Sequence, residues 1–380
     1  MTPTVAIAGA GIGGLTLAIA LRRRGVPVTV LERASELKPA GAGIALGPNA
    51  IVALERLGLR SAIVGAGASI GRSAILDSDG RVLGAELDVA ALEREVGAPV
   101  VALQRTRLHD VLVDAAGPGV VRLGFTVLEY ENLGDRVRVI STEGDRVEAD
   151  LLVGADGLNS SVRAQLVSDG APKYSGYTSW RGVTPAGAVA PPQRMTESWG
   201  RGERFGIVNI GSGEIYWFAV ANAKAGGTDA DVREELLARF GGWHEPVAAI
   251  VRATPAARIL RTDISDRDPI DCWHRGPVVL LGDAAHPMTP NLGQGAGQAI
   301  EDAVVLDQCL SAGPTIDAAV RRYEVRRVSR ANRLVLASRR VGAIAQWQNA
   351  AAVWLRDTGM RLTPASVAIS QARRIMQAEI

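Results

Sequence analysis

Apolar runs broken by glycines and charged residues set out alternating strands and helices along the chain. Val5 to Ala8 and Val28 to Leu31 are short apolar or β-branched runs, as expected of strands buried on both faces. The apolar stretch between them ends in Arg22, Arg23, Arg24 and Gly25, predicting a helix from about Gly13 to Arg24 and hence a βαβ unit. Further strands are expected at Val120 to Val127, Arg136 to Ser141 and Ala149 to Gly154, separated by Gly134-Asp135 and Gly144-Asp145. Phe205 to Ile210 and Glu214 to Val220 flank Gly211-Ser212-Gly213 and predict a hairpin. A turn symmetric about Ser212 pairs Tyr216 with Val208 and puts Arg204 on the same face. Val278 to Leu281 reads as a buried strand with Asp283 at its carboxyl end, and Gly293, Gly295 and Gly297 lead into a helix near Gln298. From Ile316 to Ile380 the period is helical.

At 380 residues and 47% hydrophobic content, the chain is long enough for two packed units. Most tryptophans and tyrosines gather between Lys173 and Arg267, which reads as an antiparallel unit inserted into an α/β one. The expected division is 1–72, 98–172 and 268–313 for the nucleotide-binding domain, 73–97 and 173–267 for the substrate domain, and 314–380 for a C-terminal helical region. Lysine plus arginine (42) nearly balance aspartate plus glutamate (40), which argues against nucleic acid and against stable membrane association. Eight arginines between Arg321 and Arg340 are expected to form a solvated basic face, with a membrane-surface or partner-binding helix as the alternative. Cys272 and Cys309 fit neither a disulfide framework nor a metal site, so no metal is expected. The N-terminal apolar stretch is interrupted by glycines and followed by arginines, unlike a secretory leader, and a cytoplasmic location is expected.

Gly9-Ala10-Gly11-Ile12-Gly13-Gly14 has the G-x-G-x-x-G spacing that brings a diphosphate close to a helix N-terminus. Glu32 stands at the end of the next strand, where a carboxylate binds a ribose diol. A nicotinamide or a flavin dinucleotide fits this unit equally well. Gly41-Ala42-Gly43-Ile44 makes a second glycine-rich turn, and Arg105 opens a helix from which it either reaches a phosphate or remains an ordinary solvated arginine. Gly154-Ala155-Asp156-Gly157, with Ser160 and Arg163, ends a further strand in Asp-Gly, as Leu281-Gly282-Asp283 does.

These three segments, in this order and spacing over roughly residues 4 to 340, resemble the signature motifs of the group A flavoprotein monooxygenases. The resemblance implies a Rossmann-like FAD-binding domain with an inserted, mostly antiparallel substrate domain and C-terminal helices. It implies that Glu32 and Arg33 hold the adenosine half of FAD, that Arg105 lies along the ribityl-diphosphate, that Asp283 binds the ribityl chain, and that Gly9, Gly11, Gly14 and Gly43 are also cofactor-binding. Gly293, Gln294 and Gly295 would face the flavin ring, with Pro290 cofactor-binding in the same loop, while Asp156, Gly157 and Arg163 belong to the motif tied to both FAD and nicotinamide. NADH or NADPH would act as a transient cosubstrate, and O2 and a small electron-rich aromatic ring would react through a C4a-hydroperoxyflavin. The Glu203-Arg204-Phe205 hairpin with Tyr216 is similar to that of the FAD-dependent urate hydroxylases, which implies catalytic roles for Arg204 and Tyr216 at the substrate. The same residues also read as a rim arginine and an apolar-face tyrosine. An epoxidase or reductase of the same fold and a non-catalytic flavin sensor are the alternatives; a monomer or a homodimer is compatible with the sequence.

Overall fold

The structure, a computed structural model, describes residues 3–37 and 42–380, so Gly41 of the second glycine turn lies outside the described residues. Among the described residues a six-stranded sheet runs in the order His274–Arg275, Val278–Leu280, Leu151–Gly154, Val5–Ala8, Val28–Leu31 and Val121–Arg122. All of its pairings are parallel except that of His274–Arg275 with Val278–Leu280. Val5–Ala8 and Leu151–Gly154 are buried at every residue, the reason both read as unbroken apolar runs. Parallel order brings Gly9, Glu32, Ala155-Asp156 and Gly282-Asp283 to one sheet edge.

Helix Ile12–Arg23 packs on helix Gly295–Ala312 closely enough that a Cβ on Gly13 would meet Leu281 Cδ2 at 2.5 Å and Ala299 Cβ at 3.2 Å. The expected strand from Val120 to Val127 is instead two. Val121–Arg122 joins the parallel sheet, whereas Val127–Asn132 pairs with Val137–Ser141 in a separate antiparallel sheet. Gly124, at φ 71°, turns the chain between them.

The inserted unit is a seven-stranded sheet in the order Leu260–Asp266, Lys173–Thr184, Ile215–Asn222, Glu203–Asn209, Met195–Trp199, Arg72–Asp77 and Leu87–Asp88. It is antiparallel except where Arg72–Asp77 runs parallel to Met195–Trp199. One face buries Trp180, Phe205, Ile207 and Trp217 against helices Val232–Phe240 and Val247–Ala253. Because facing residues of antiparallel strands share a side, the pairs Val183↔Tyr216, Arg181↔Phe218 and Arg204↔Val220 lie on the opposite, inner face.

The C-terminal region is helical, at Ile316–Ala345, Ala350–Leu362 and Ala365–Met376. Its arginines do not form one solvated face. Arg327 is fully buried and Arg330 nearly so, and Arg339 pairs with Asp266 and Asp268. The reason lies in helix Gly295–Ala312, where Glu301 and Asp302 are themselves fully buried and require cationic partners. No described helix is long and apolar enough to cross a membrane.

Candidate active site

The glycine turn after Val5–Ala8 is shaped by crowding. Gly9 adopts φ 100°, and a Cβ there would stand 2.5 Å from the Ala155 carbonyl; one on Gly14 would stand 2.1 Å from the Gly9 carbonyl. Gly11, in contrast, has open space around it, in front of a helix with no side-chain cap and no acidic residue in its first turn. Free N–H groups and clear space at a helix start suit a diphosphate. Glu32 accepts the N–H groups of Ala10 at 2.8 Å and Ala34 at 2.9 Å, so its carboxylate ties this turn to the following loop. Arg33 is exposed beside it.

Asp156 caps helix Ser161–Val167 through Ser161 N–H at 2.9 Å, and its Oδ1 is buried without a hydrogen-bond partner. Burial raises this carboxyl above its ordinary value, against the hydrogen bonds of Ser160, Ser161 and Val162. Gly157 supplies a left-handed residue at φ 81°. Arg163, expected among the cofactor-binding residues, has its donors on protein. It is fully buried, and all five guanidinium N–H groups are engaged: on Asp169 Oδ2 from Nε at 2.9 Å and Nη2 at 2.5 Å, on the carbonyls of Ala284 and Ala285, and on the carbonyl of Asp268. It therefore fixes the backbone directly after Asp283.

Asp283 is exposed, in the turn that follows Val278–Leu280. Desolvation raises its carboxyl above the ordinary value, against the pull of His286 and Arg105. It makes no hydrogen bond within the described residues, and its Oδ1 is 3.7 Å from where a Cβ on Gly295 would stand. Pro290 opens a 3₁₀ turn that Gly293 ends at φ 63°, and Gln294 precedes helix Gly295–Ala312, which starts three residues before the expected Gln298. This helix also lacks a side-chain cap and an acidic first turn.

Behind it, Asp302 accepts from Arg327 Nε at 2.6 Å, from the Gly282 N–H at 3.0 Å and lies 2.6 Å from His286 Nε2. Desolvation opposes ionisation of Asp302, yet His286 and Arg327 outweigh it and hold the carboxyl down to about 2. Gln294 and Glu301 both accept from Asn49 Nδ2, at 3.1 and 2.6 Å, so the loop in front of the helix rests on a buried polar frame.

On the inner face of the seven-stranded sheet, Tyr216 lies flat over Gly43, where a Cβ would fall 2.1 Å from Tyr216 Cγ. The ring therefore accounts for this glycine independently of any cofactor. Burial raises the phenol above its ordinary value, opposed by Arg181 and Arg105. Arg204 is 2% exposed and bonds Gln346 Oε1 at 2.8 Å, Asn291 Oδ1 at 2.9 Å and Glu197 Oε1 at 3.1 Å, with its guanidinium over the Tyr177 ring. It joins the seven-stranded sheet, the Pro290–Leu292 turn and the end of the long helix, rather than projecting freely as a rim arginine.

Reading strand by strand overlooked Glu197, Asn291, Gln346 and Arg181. Arg181 is half-buried on the inner face and donates from Nε to Ser179 Oγ at 3.5 Å. Period-two alternation after Tyr177 would have placed it there. The others come from distant segments whose meeting has no local signal.

Two uncapped helix starts, an accessible carboxylate and an orphaned Asp156 oxygen supply the donors and acceptors that a flavin dinucleotide requires. The FAD binding domain family matches residues 2–338. Aurachin C monooxygenase/isomerase of Stigmatella aurantiaca is 48% identical over 375 residues, 98% of each chain. FAD-dependent urate hydroxylase of Klebsiella pneumoniae is 34% identical over 338 residues, 88% of each. The crystal structure of Klebsiella pneumoniae HpxO complexed with FAD and uric acid matches with a TM-score of 0.92 at 30% identity, covering 98% of this chain and 96% of that one.

Proposed function

Since the chain belongs to the group A flavoprotein monooxygenases, we propose that it hydroxylates an electron-rich heteroaromatic ring held between the Pro290–Gly295 loop and the inner face of the seven-stranded sheet. The observation that carries this reading is the 2.9 Å bond from Arg204 Nη2 to Asn291 Oδ1, which ties the sheet to the flavin loop. The chemistry supplied by bound FAD is activation of O2 at the expense of NAD(P)H. Glu32 and the turn at Gly11 would hold the adenosine end, Arg105 the diphosphate and ribityl region, and Asp283 the ribityl hydroxyls.

On the substrate side, Tyr216 is a neutral phenol near pH 7, since burial raises it, and so donates its proton as a hydrogen bond to a ring oxygen. Arg204, with Glu197 beside it, acts chiefly by holding the wall in place. Arg181 has no carboxylate partner within ion-pair distance among the described residues and is the cation left to face an ionised ring substituent. At 48% identity against 34%, aurachin C is the first ring to assay and urate the second.

The experiment is substrate-stimulated NAD(P)H oxidation by the flavin-loaded protein, with labelled O2 followed into the ring. Stimulation with one labelled oxygen in the product supports the reading; oxidation yielding only hydrogen peroxide with every ring offered would sink it.

A further inference from the structure

The end of the long helix and the helix after it turn apolar side chains outward. On Ile316–Ala345 the exposed positions Leu336, Arg340, Ile344 and Trp347 just past its end follow one another at helical spacing. On Ala350–Leu362 the outward stripe holds Trp354, 67% exposed, Leu355, 61%, and Leu362, 76%. Single exposed leucines are ordinary, but two exposed indoles and four exposed aliphatic residues on consecutive helices are a different case.

The charge on this stripe is positive. Of the arginines between Val325 and Ala378, Arg327, Arg330, Arg339, Arg356, Arg361 and Arg373 are taken up by carboxylates. The stripe itself carries Arg333 and Arg340 among its apolar positions. Arg333 and Arg340 are exposed without a carboxylate within ion-pair distance among the described residues, and Arg201, likewise exposed, donates from Nε to the Gln348 carbonyl at the turn between the two helices.

From this geometry we propose that the outward faces of these two helices dock on an anionic phospholipid surface, contrary to the expectation that overall charge alone creates. Indole and leucine side chains enter the headgroup boundary while arginines meet the phosphates, the mode of an interfacial helix. A second copy of this chain suits the patch less well. A two-fold contact sets the same surface against itself, and arginines with no exposed acid among them find no counter-charge there. The surface also adjoins the pocket wall. Gln346, between Ile344 and Trp347, is buried and bonds Arg204 Nε at 2.8 Å.

The test is flotation of the FAD-loaded protein with vesicles of phosphatidylcholine alone and of phosphatidylcholine mixed with phosphatidylglycerol. Binding is expected to the mixed vesicles only, with a blue shift of tryptophan emission, and to weaken as salt shortens the screening length from about 10 Å at 0.1 M. Trp354→Ser with Leu355→Ser should reduce it at least tenfold while bound flavin and turnover of water-soluble rings stay unchanged, which confirms the fold. A charge variant, Arg333→Gln with Arg340→Gln, should lower binding severalfold without moving the emission of the free protein. No flotation with mixed vesicles, equal flotation with both kinds, or binding untouched by either variant would overturn the proposal. So would a dimer in light scattering that Trp354→Ser with Leu355→Ser converts to monomer, since the patch would then belong to a second copy. None of these outcomes bears on whether the ring chemistry proposed above takes place.

Discussion

Asp283 and Arg163 show how differently two motif residues can work within one loop. Asp283 makes no internal hydrogen bond among the described residues, and its charged form is disfavoured by burial. Asp283→Ala should therefore leave the apoprotein as stable as before, or slightly more so, while abolishing the rise in melting temperature that FAD produces; a thermal scan with and without FAD separates the two. Arg163→Lys should lower apoprotein stability and flavin retention together, because one ammonium cannot replace five directed donors.

For Arg204→Ala the expected result is a raised KM or leakage to hydrogen peroxide with FAD retained. The structure adds a stability loss of about 1–3 kcal/mol, because Glu197, Asn291 and Gln346 lose their partner. Unchanged KM, coupling and melting temperature would remove Arg204 from the site. The glycine turn and the strand-end carboxylates were legible at this scale, since a tight turn demands glycine and a carboxylate ending an apolar run stands out. Arg204's partners were not legible: Asn291 and Gln346 lie 87 and 142 residues away.

At the scale of elements, the long helix is the buttress of the flavin loop. Gly342 gives it a notch: a Cβ there would stand 2.4 Å from Asn291 Nδ2 and 2.9 Å from the Tyr177 hydroxyl. Gly342→Ala improves intrinsic helix propensity by about 1 kcal/mol and should still impair turnover, because it pushes Asn291 away from Arg204. Retained helicity with lowered kcat/KM is the expected pair of readings, and unaltered kcat/KM would show that the notch is dispensable.

The Asp302–Arg327–His286 cluster makes a pH prediction. A carboxyl held to about 2 in the folded state against 3.8 contributes about 2 kcal/mol that is fully present above the unfolded value and is lost as pH falls through about 2. Denaturant titrations between about pH 4 and pH 2 should show this loss in the wild type, and Asp302→Asn should flatten it while lowering stability at neutral pH, since Arg327 is then left unpaired. Helical period identified this region as helix, but periodicity treats arginine as a surface residue. Burial of Arg327 became readable only with Glu301 and Asp302 opposite it.

At the scale of the molecule, the two sheets are joined through side chains, with Arg204, Asn291 and Gln346 at one seam and Tyr216 over Gly43 at another. Ligand linkage should therefore reach both. FAD at about a hundred times its Kd adds about 2.7 kcal/mol. That gain should appear equally in the fluorescence of Trp180 and Trp217 in the inserted sheet and in flavin release. Two separated transitions, with only one responding to FAD, would mean that the seams do not couple the units.

The order of strands and helices, the flavin signatures and the Val208↔Tyr216 register follow from local pattern, since strand alternation, glycine geometry and strand-end carboxylates each need only a few neighbouring residues. Tertiary structure decided which charged groups are spectators and which are structural. Arg163, Arg204 and Arg327 carry the same side chain as the exposed Arg33 and Arg340, and what separates them is whether distant carboxylates and carbonyls surround them. Burying an arginine is unfavourable until its donors are filled, and those acceptors are supplied by the fold as a whole rather than by neighbours in the chain.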